Sequence, residues 1–89
     1  MHDDDGETGP SLRIAVFAGM AELAGGRQID LPWQGGTVAD LRRVLAAAHP
    51  PLAPLLARSA VAVGGRYASD VERVVAGADV AVIPPVSGG

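Results

Sequence analysis

Only one stretch of this chain supports a helix of several turns, and that limits the fold more than any other feature. Val38, Leu41, Leu45 and Ala48 recur at the spacing of one helix face. Thr37 precedes the run as an N-cap, and Asp40 at the third helical position favours the amino end electrostatically. Pro50-Pro51 stops the helix, because a residue before proline is pushed out of helical geometry. Arg42 and Arg43 read as its solvated face, and His49 suits the carboxyl end of the helix dipole better than catalysis. Leu52, Leu55 and Leu56 offer a further short helical turn against the core. The other periodic runs alternate every two residues. A lone helix among strands buries its apolar stripe against a sheet, so the expected class is α+β, with one sheet face covered.

The strands follow from alternation. Leu12, Ile14, Val16 and Ala18 share one face of the first run; Arg13, Ala15 and Phe17 share the other. Met20 to Ala24 reads as one helical turn before Gly25-Gly26. Arg27 to Leu31 alternates again, with Ile29 and Leu31 inward, so the two runs form an antiparallel hairpin ended by Pro32. Trp33 falls in the following loop, where it covers the core edge. Ala60 to Val63, the Gly64-Gly65 turn and Arg66 to Ala68 make a second hairpin. Ser69 and Glu72 have capping-box spacing, which predicts a helical turn from Asp70. Asp79 to Ile83 is the last strand, with Ala81 and Ile83 opposite Val80 and Val82. The sheet thus has four to five strands.

If the first and last strands are neighbours, Ala15, Phe17, Ala81 and Ile83 form one apolar patch on the uncovered face. Such a patch marks an interaction site. Two alternatives stay open: scattered surface apolar residues, or a Phe17 buried by the loop after it.

Composition narrows the function. Eighty-nine residues make one core. Phe17, Trp33 and Tyr67 are the only aromatics, so Val, Leu, Ile and Ala must build that core. Absence of cysteine excludes a disulfide framework and a thiol nucleophile, and fits a cytoplasmic location. No apolar run is long enough for a membrane span, and Met1 to Pro10 lacks the apolar region of a secretory signal. A net charge of −3 argues against nucleic acid, which needs a concentrated basic surface. All seven basic residues are Arg, so the chain offers no lysine for self-linkage. Residues 1–10 read as a disordered acidic tail, in which His2 beside Asp3, Asp4 and Asp5 is solvated rather than a metal site. Residues 11–83 read as the folded domain and residues 84–89 as a terminal arm.

That arm is Pro84-Pro85-Val86-Ser87-Gly88-Gly89. The prolines stiffen the exit from the last strand, and Gly88-Gly89, having no Cβ, passes through channels too narrow for a side chain. No nucleophile–base pair or phosphate loop exists elsewhere, and the histidines lie in a tail and at a helix end. The remaining chemistry is the Gly89 carboxylate. With a reference pKa of about 3.5 it is ionised and a poor electrophile. ATP-dependent adenylation would activate it, and a sulfur donor could then displace AMP to leave a thiocarboxylate.

On these residues the chain resembles the MoaD family of ubiquitin-like, ThiS-like sulfur carriers, the small subunits of molybdopterin synthase. Val16-Phe17-Ala18 with Glu22-Leu23, Thr37-Val38-Ala39-Asp40-Leu41, Ala62-Val63 and Pro84 to Gly89 carry the likeness across about residues 12–89. Departures from the family pattern are Ala21 for Arg, Gly64 for Asn, Gly77-Ala78-Asp79-Val80 for Gly-Asp-Glu-Val, and Val82 and Ile83 for aromatics.

The resemblance implies a β-grasp fold in which the first and last strands are parallel neighbours. It implies a chain that is not itself an enzyme and binds no cofactor. An E1-like adenylyltransferase would consume ATP to activate Gly89, and a sulfurtransferase would supply sulfur. The thiocarboxylated tail would enter the large synthase subunit, where the catalytic residues lie, in a heterotetramer of two small and two large subunits. Sulfur would pass to a cyclic pyranopterin monophosphate to build the dithiolene of molybdopterin. The alternatives are sulfur delivery to thiamine, cysteine or tRNA, attachment to lysines as a protein modifier, and an interaction module with an inert tail.

Overall fold

The structure, a computed structural model, describes residues 9–85. The chain runs β1 (Ser11–Val16), α1 (Ala18–Ala24), β2 (Gln28–Pro32), β3 (Gly36–Thr37) and α2 (Val38–Ala48), then a 3-10 turn (Pro50–Leu52) and α3 (Ala53–Leu56). It finishes with β4 (Ala60–Val63), β5 (Arg66–Ala68), β6 (Arg73–Val74) and β7 (Asp79–Ile83). Five strands form one mixed sheet in the order β2-β1-β7-β4-β5, and β3 pairs with β6 in a small second sheet. The first and last long strands are parallel neighbours at the centre, with Ala15 opposite Ala81 and Val16 opposite Val82. This is the ubiquitin-like β-grasp.

The period-two pattern decides what each strand buries. Leu12, Ile14 and Val16 of β1, Ile29 and Leu31 of β2, Val61 of β4, and Val80 and Val82 of β7 form the sheet side of the core. Val38, Leu41 and Leu45 of α2 close over them, with Leu52 and Leu56 from the turn and helix that follow. The α2 stripe ends at Leu45: Ala48, expected on the same face, is exposed at the last helical position.

Thr37 caps α2 as expected. Its Oγ1 accepts from the Asp40 N–H (3.1 Å), and its own N–H donates to the Asp40 carboxylate (2.9 Å). Those bonds, helped by Arg43, hold the Asp40 carboxyl below its ordinary value. A depressed native value means that the carboxylate stabilises the fold above about pH 4 and stops doing so as acid protonates it. Thr37→Ala should therefore cost about 1 kcal/mol in urea unfolding at neutral pH. The deficit of Asp40→Asn should shrink as pH falls through the Asp40 titration.

Several local expectations are corrected. The loop after β1 holds a two-turn helix, Ala18–Ala24, rather than a single turn, and its Met20 is fully buried. Ala18 is not a core position on the first strand: β1 stops at Val16, and Ala18 is exposed with φ +53°. That left-handed residue turns the chain sharply from strand into helix. Arg42 is half-buried rather than merely solvated: it donates to the Leu56 carbonyl and, through Nε, to Asp70 (2.9 Å). Ser69 and Glu72 do bond reciprocally, but they close a turn instead of a helix. The chain then pairs β6 with β3, placing Val74 opposite Gly36.

Trp33 covers the core edge as expected. It is buried, and its indole N–H donates to the Val74 carbonyl (2.9 Å). Its backbone N–H donates to the Pro10 carbonyl (2.9 Å). Gly36 is needed beneath it: φ is +151°, and an added Cβ would lie 2.9 Å from Asp40 Oδ2 and 3.2 Å from the indole. The α2 cap and the Trp33 contact thus share one glycine.

Candidate functional site

The uncovered sheet face is where the four patch residues come together. Ala15 and Ala81 are register partners across the parallel β1–β7 pair. Ile83 ends β7 opposite Ala60. Phe17 follows β1 with extended geometry (φ −136°, ψ 161°), so strand alternation carries its ring to the Ala15 side. It is 47% exposed, which rules out burial by the α1 loop. Ala15, Ala81 and Ile83 are half-buried, as expected of small or flanked residues on an open sheet.

Register extends the patch beyond the four. Ala62 pairs with Ala81 on one side and Tyr67 on the other, and Ala15 pairs with Gln28. A single row therefore crosses all five strands: Gln28, Ala15, Ala81, Ala62, Tyr67. Its three central alanines floor a shallow depression of about 280 Å³. Tyr67, 68% exposed, flanks it. Sequence reasoning missed Tyr67 and Ala62 as members of this face. The signal was the two-residue Gly64-Gly65 turn: φ is positive at both residues (+61° and +86°), and such a turn sets Ala62 opposite Tyr67.

The face is polarised along the strands. Arg13 lies between Asp30 and Asp79 by register, at the end where β7 begins. The apolar residues Phe17, Ile83 and Ala60 lie at the other end, where β7 ends and Pro84 follows. A larger hollow of about 1070 Å³, bounded by Pro10, Trp33, Gln34 and Gly77, sits at the polar end, away from the tail root. Pro84 is half-buried and Pro85 exposed. Val86, Ser87, Gly88 and Gly89 lie outside the described residues, as do residues 1–8 with His2 and the acidic run. Among the described residues, no three His, Asp or Glu side chains gather to hold a metal. No described helix is long and apolar enough to cross a membrane.

A parallel β1–β7 pair, one sheet face under α2 and an apolar open face beside the root of a Gly-Gly tail define the site. Comparison with known families finds a match over residues 14–89 to the family described as ThiS. The chain belongs to the ThiS family. Among solved structures, small archaeal modifier protein 1 from Haloferax volcanii superposes on this ThiS-family chain in two determinations. The TM-score is 0.76 in each, with 33% and 31% identity, over 89% and 88% of this chain and 99% and 100% of the other. A Pyrococcus furiosus protein described as subunit 1 of a molybdopterin converting factor gives a TM-score of 0.74 at 28% identity, over 86% of this chain and 99% of its own. No curated protein sequence matches significantly. The ThiS family places the chain among the ubiquitin-like sulfur carriers and modifiers, as the MoaD-like residues implied.

Proposed function

We propose that this ThiS-family chain carries sulfur on Gly89 for dithiolene formation in molybdopterin synthesis. The observation that carries the reading is that the family match runs through Gly89, on a body whose apolar face adjoins the tail root. Similarity to a protein described as a molybdopterin converting factor subunit supports the choice of pathway. An activating enzyme adenylates Gly89: a carboxylate oxygen attacks the α-phosphorus of ATP and pyrophosphate leaves. Hydrosulfide supplied by a sulfur donor then attacks the acyl carbon; a C–S bond forms, AMP leaves with the electron pair of the broken C–O bond, the proton goes to solvent, and the thiocarboxylate remains. The chain contributes no acid, base or metal to these steps. It presents the acyl group and docks its carrier body, and the catalytic groups belong to the partners, an adenylyltransferase and a large synthase subunit.

The test is intact mass after incubation with ATP, an activating enzyme and a sulfur source. The expected result is a gain equal to sulfur replacing oxygen, and its absence would count against sulfur carriage. Adding a pyranopterin precursor with a large subunit, or a sulfur-free precursor of thiamine or of cysteine, or tRNA, then identifies the pathway. A second reading, conjugation to target amines, is favoured by the 33% identity to the archaeal modifier. It predicts covalent adducts on added proteins instead of sulfur release.

The open face supplies the docking surface in either reading. Phe17→Asp and Ala81→Arg should weaken partner binding at least about tenfold, because each desolvates a charge at an apolar contact. Both side chains lie outside the core, so unfolding should shift by no more than about 0.5 kcal/mol. Titration calorimetry alongside a thermal melt separates the two effects; a mainly unfolded Phe17→Asp would place that ring in the core.

A further inference from the structure

Two of the seven arginines stand where the tail begins. The Arg27 carbonyl accepts from the Val16 N–H at the end of β1 (2.9 Å), and Arg58 lies just before Ala60, which pairs with Ile83 at the end of β7. Both are exposed. Neither guanidinium has an ion-pair partner among the described residues, unlike Arg42, Arg43 and Arg66. Among the described residues, no ion pair demands arginine over lysine at these two positions, yet the chain contains no lysine anywhere.

The difference matters for a chain with an activated terminus. Gly89 lies four residues beyond Pro85, a span of at most about 14 Å. An amine attached near the tail root would meet the activated acyl group at an effective concentration on the order of millimolar. A lysine at its reference pKa keeps roughly 0.04% of its amine unprotonated at neutral pH, and that form is nucleophilic. A guanidinium stays protonated and offers no lone pair for attack.

We infer that arginine in place of lysine around the tail root denies the activated terminus a side-chain amine of its own chain. No side chain of one copy then forms an amide with Gly89, whether in the same chain or in another copy. This rests on the proposal that Gly89 is activated. The reaction avoided is ordinary aminolysis: the amine nitrogen attacks the Gly89 carbonyl carbon and a C–N bond forms. The bond to sulfur or to the adenylate oxygen breaks, AMP or thiolate leaves with the electron pair, and the amine proton goes to solvent. No oxidant or reductant enters.

The test needs no activating enzyme. The full chain is prepared with Gly89 as a thioester of 2-mercaptoethanesulfonate and with its amino terminus acetylated, as wild type, Arg27→Lys and Arg58→Lys. Thioester loss is followed by intact mass at mildly alkaline pH. Wild type should only hydrolyse. At least one lysine variant should form an internal amide, one water lighter than the hydrolysed chain, or a covalent dimer. That amide formation should outpace hydrolysis by at least about tenfold. Amide product in wild type, or hydrolysis alone in both lysine variants, would overturn the inference. Because the thioester is installed chemically, either failure leaves sulfur carriage standing, and a missing sulfur mass gain in the enzyme assay leaves this result standing.

Discussion

Replacing Gly88 with tryptophan, or deleting Gly89, is expected to abolish sulfur transfer while leaving thermal unfolding unchanged. Ile83 is the last residue of β7, and every core side chain among the described residues precedes it, so the two changes alter none of those packed residues. Changes that leave a core intact alter stability by no more than about 0.5 kcal/mol. The functional effect is large for two separate reasons. A glycine adds nothing to the cross-section of the backbone, whereas an indole blocks any channel shaped to a bare main chain. Deleting Gly89 leaves a carboxylate on Gly88 but draws it back by about 3.5 Å. Misplacement by about 1 Å already costs on the order of a hundredfold in a positioned reaction. Each variant should therefore lose at least about a hundredfold in sulfur transferred per carrier, read by intact mass, with an unchanged melting curve. Full activity in either variant would overturn the role assigned to the tail.

Trp33→Ala has the opposite signature. It should destabilise the fold by about 3–5 kcal/mol, the usual cost of truncating a buried large aromatic. Trp33 is only 5% exposed, and its indole packs against Gly36 and donates to the Val74 carbonyl. Its loss leaves a void and an unpaired carbonyl in the β3–β6 sheet together. For a domain of this size the melting temperature should fall by about 15 °C or more. Trp33→Phe separates the contributions: it keeps most of the apolar volume and loses only the N–H bond, so it should cost about 1–2 kcal/mol. If Trp33→Ala melted like wild type, the indole would not be tying the small second sheet to the core.

The two predictions divide the molecule as its chemistry does. Stability resides in the core between the sheet and α2. Function is assigned to the face and tail that the core leaves uncovered. Phe17 shows how close the two lie: its neighbours in sequence, Val16 and Met20, are fully buried, while its own ring is half exposed.

Alternation and capping made much of this fold legible in advance. Leu12, Ile14 and Val16 announced the buried face of β1, and Thr37 with Asp40 announced the start of α2, because these are local rules satisfied within a few residues. The helix α1 was under-read because it has no side-chain cap and starts from a left-handed Ala18, so no local signal marks its first turn. Ser69 and Glu72 misled for the converse reason. Their reciprocal bonds are local, but the following Arg73 and Val74 gain more by pairing with β3 than by continuing a helix.

By itself, the sequence determined most of the elements and the core face of each long strand, since each depends on residues near one another in the chain. It also carried the family likeness. The two hairpins were legible locally, but how they join was not. The β1–β7 and β4–β7 pairings link residues far apart in sequence, no local rule specifies them, and only the family likeness implied the first. Those pairings set Ala15, Ala81, Ala62 and Tyr67 in one row and placed Phe17, Ile83, Arg27 and Arg58 at the end where the tail leaves. The apolar open face and its place beside the tail root are therefore properties of the folded sheet, which brings residues distant in sequence into register with one another.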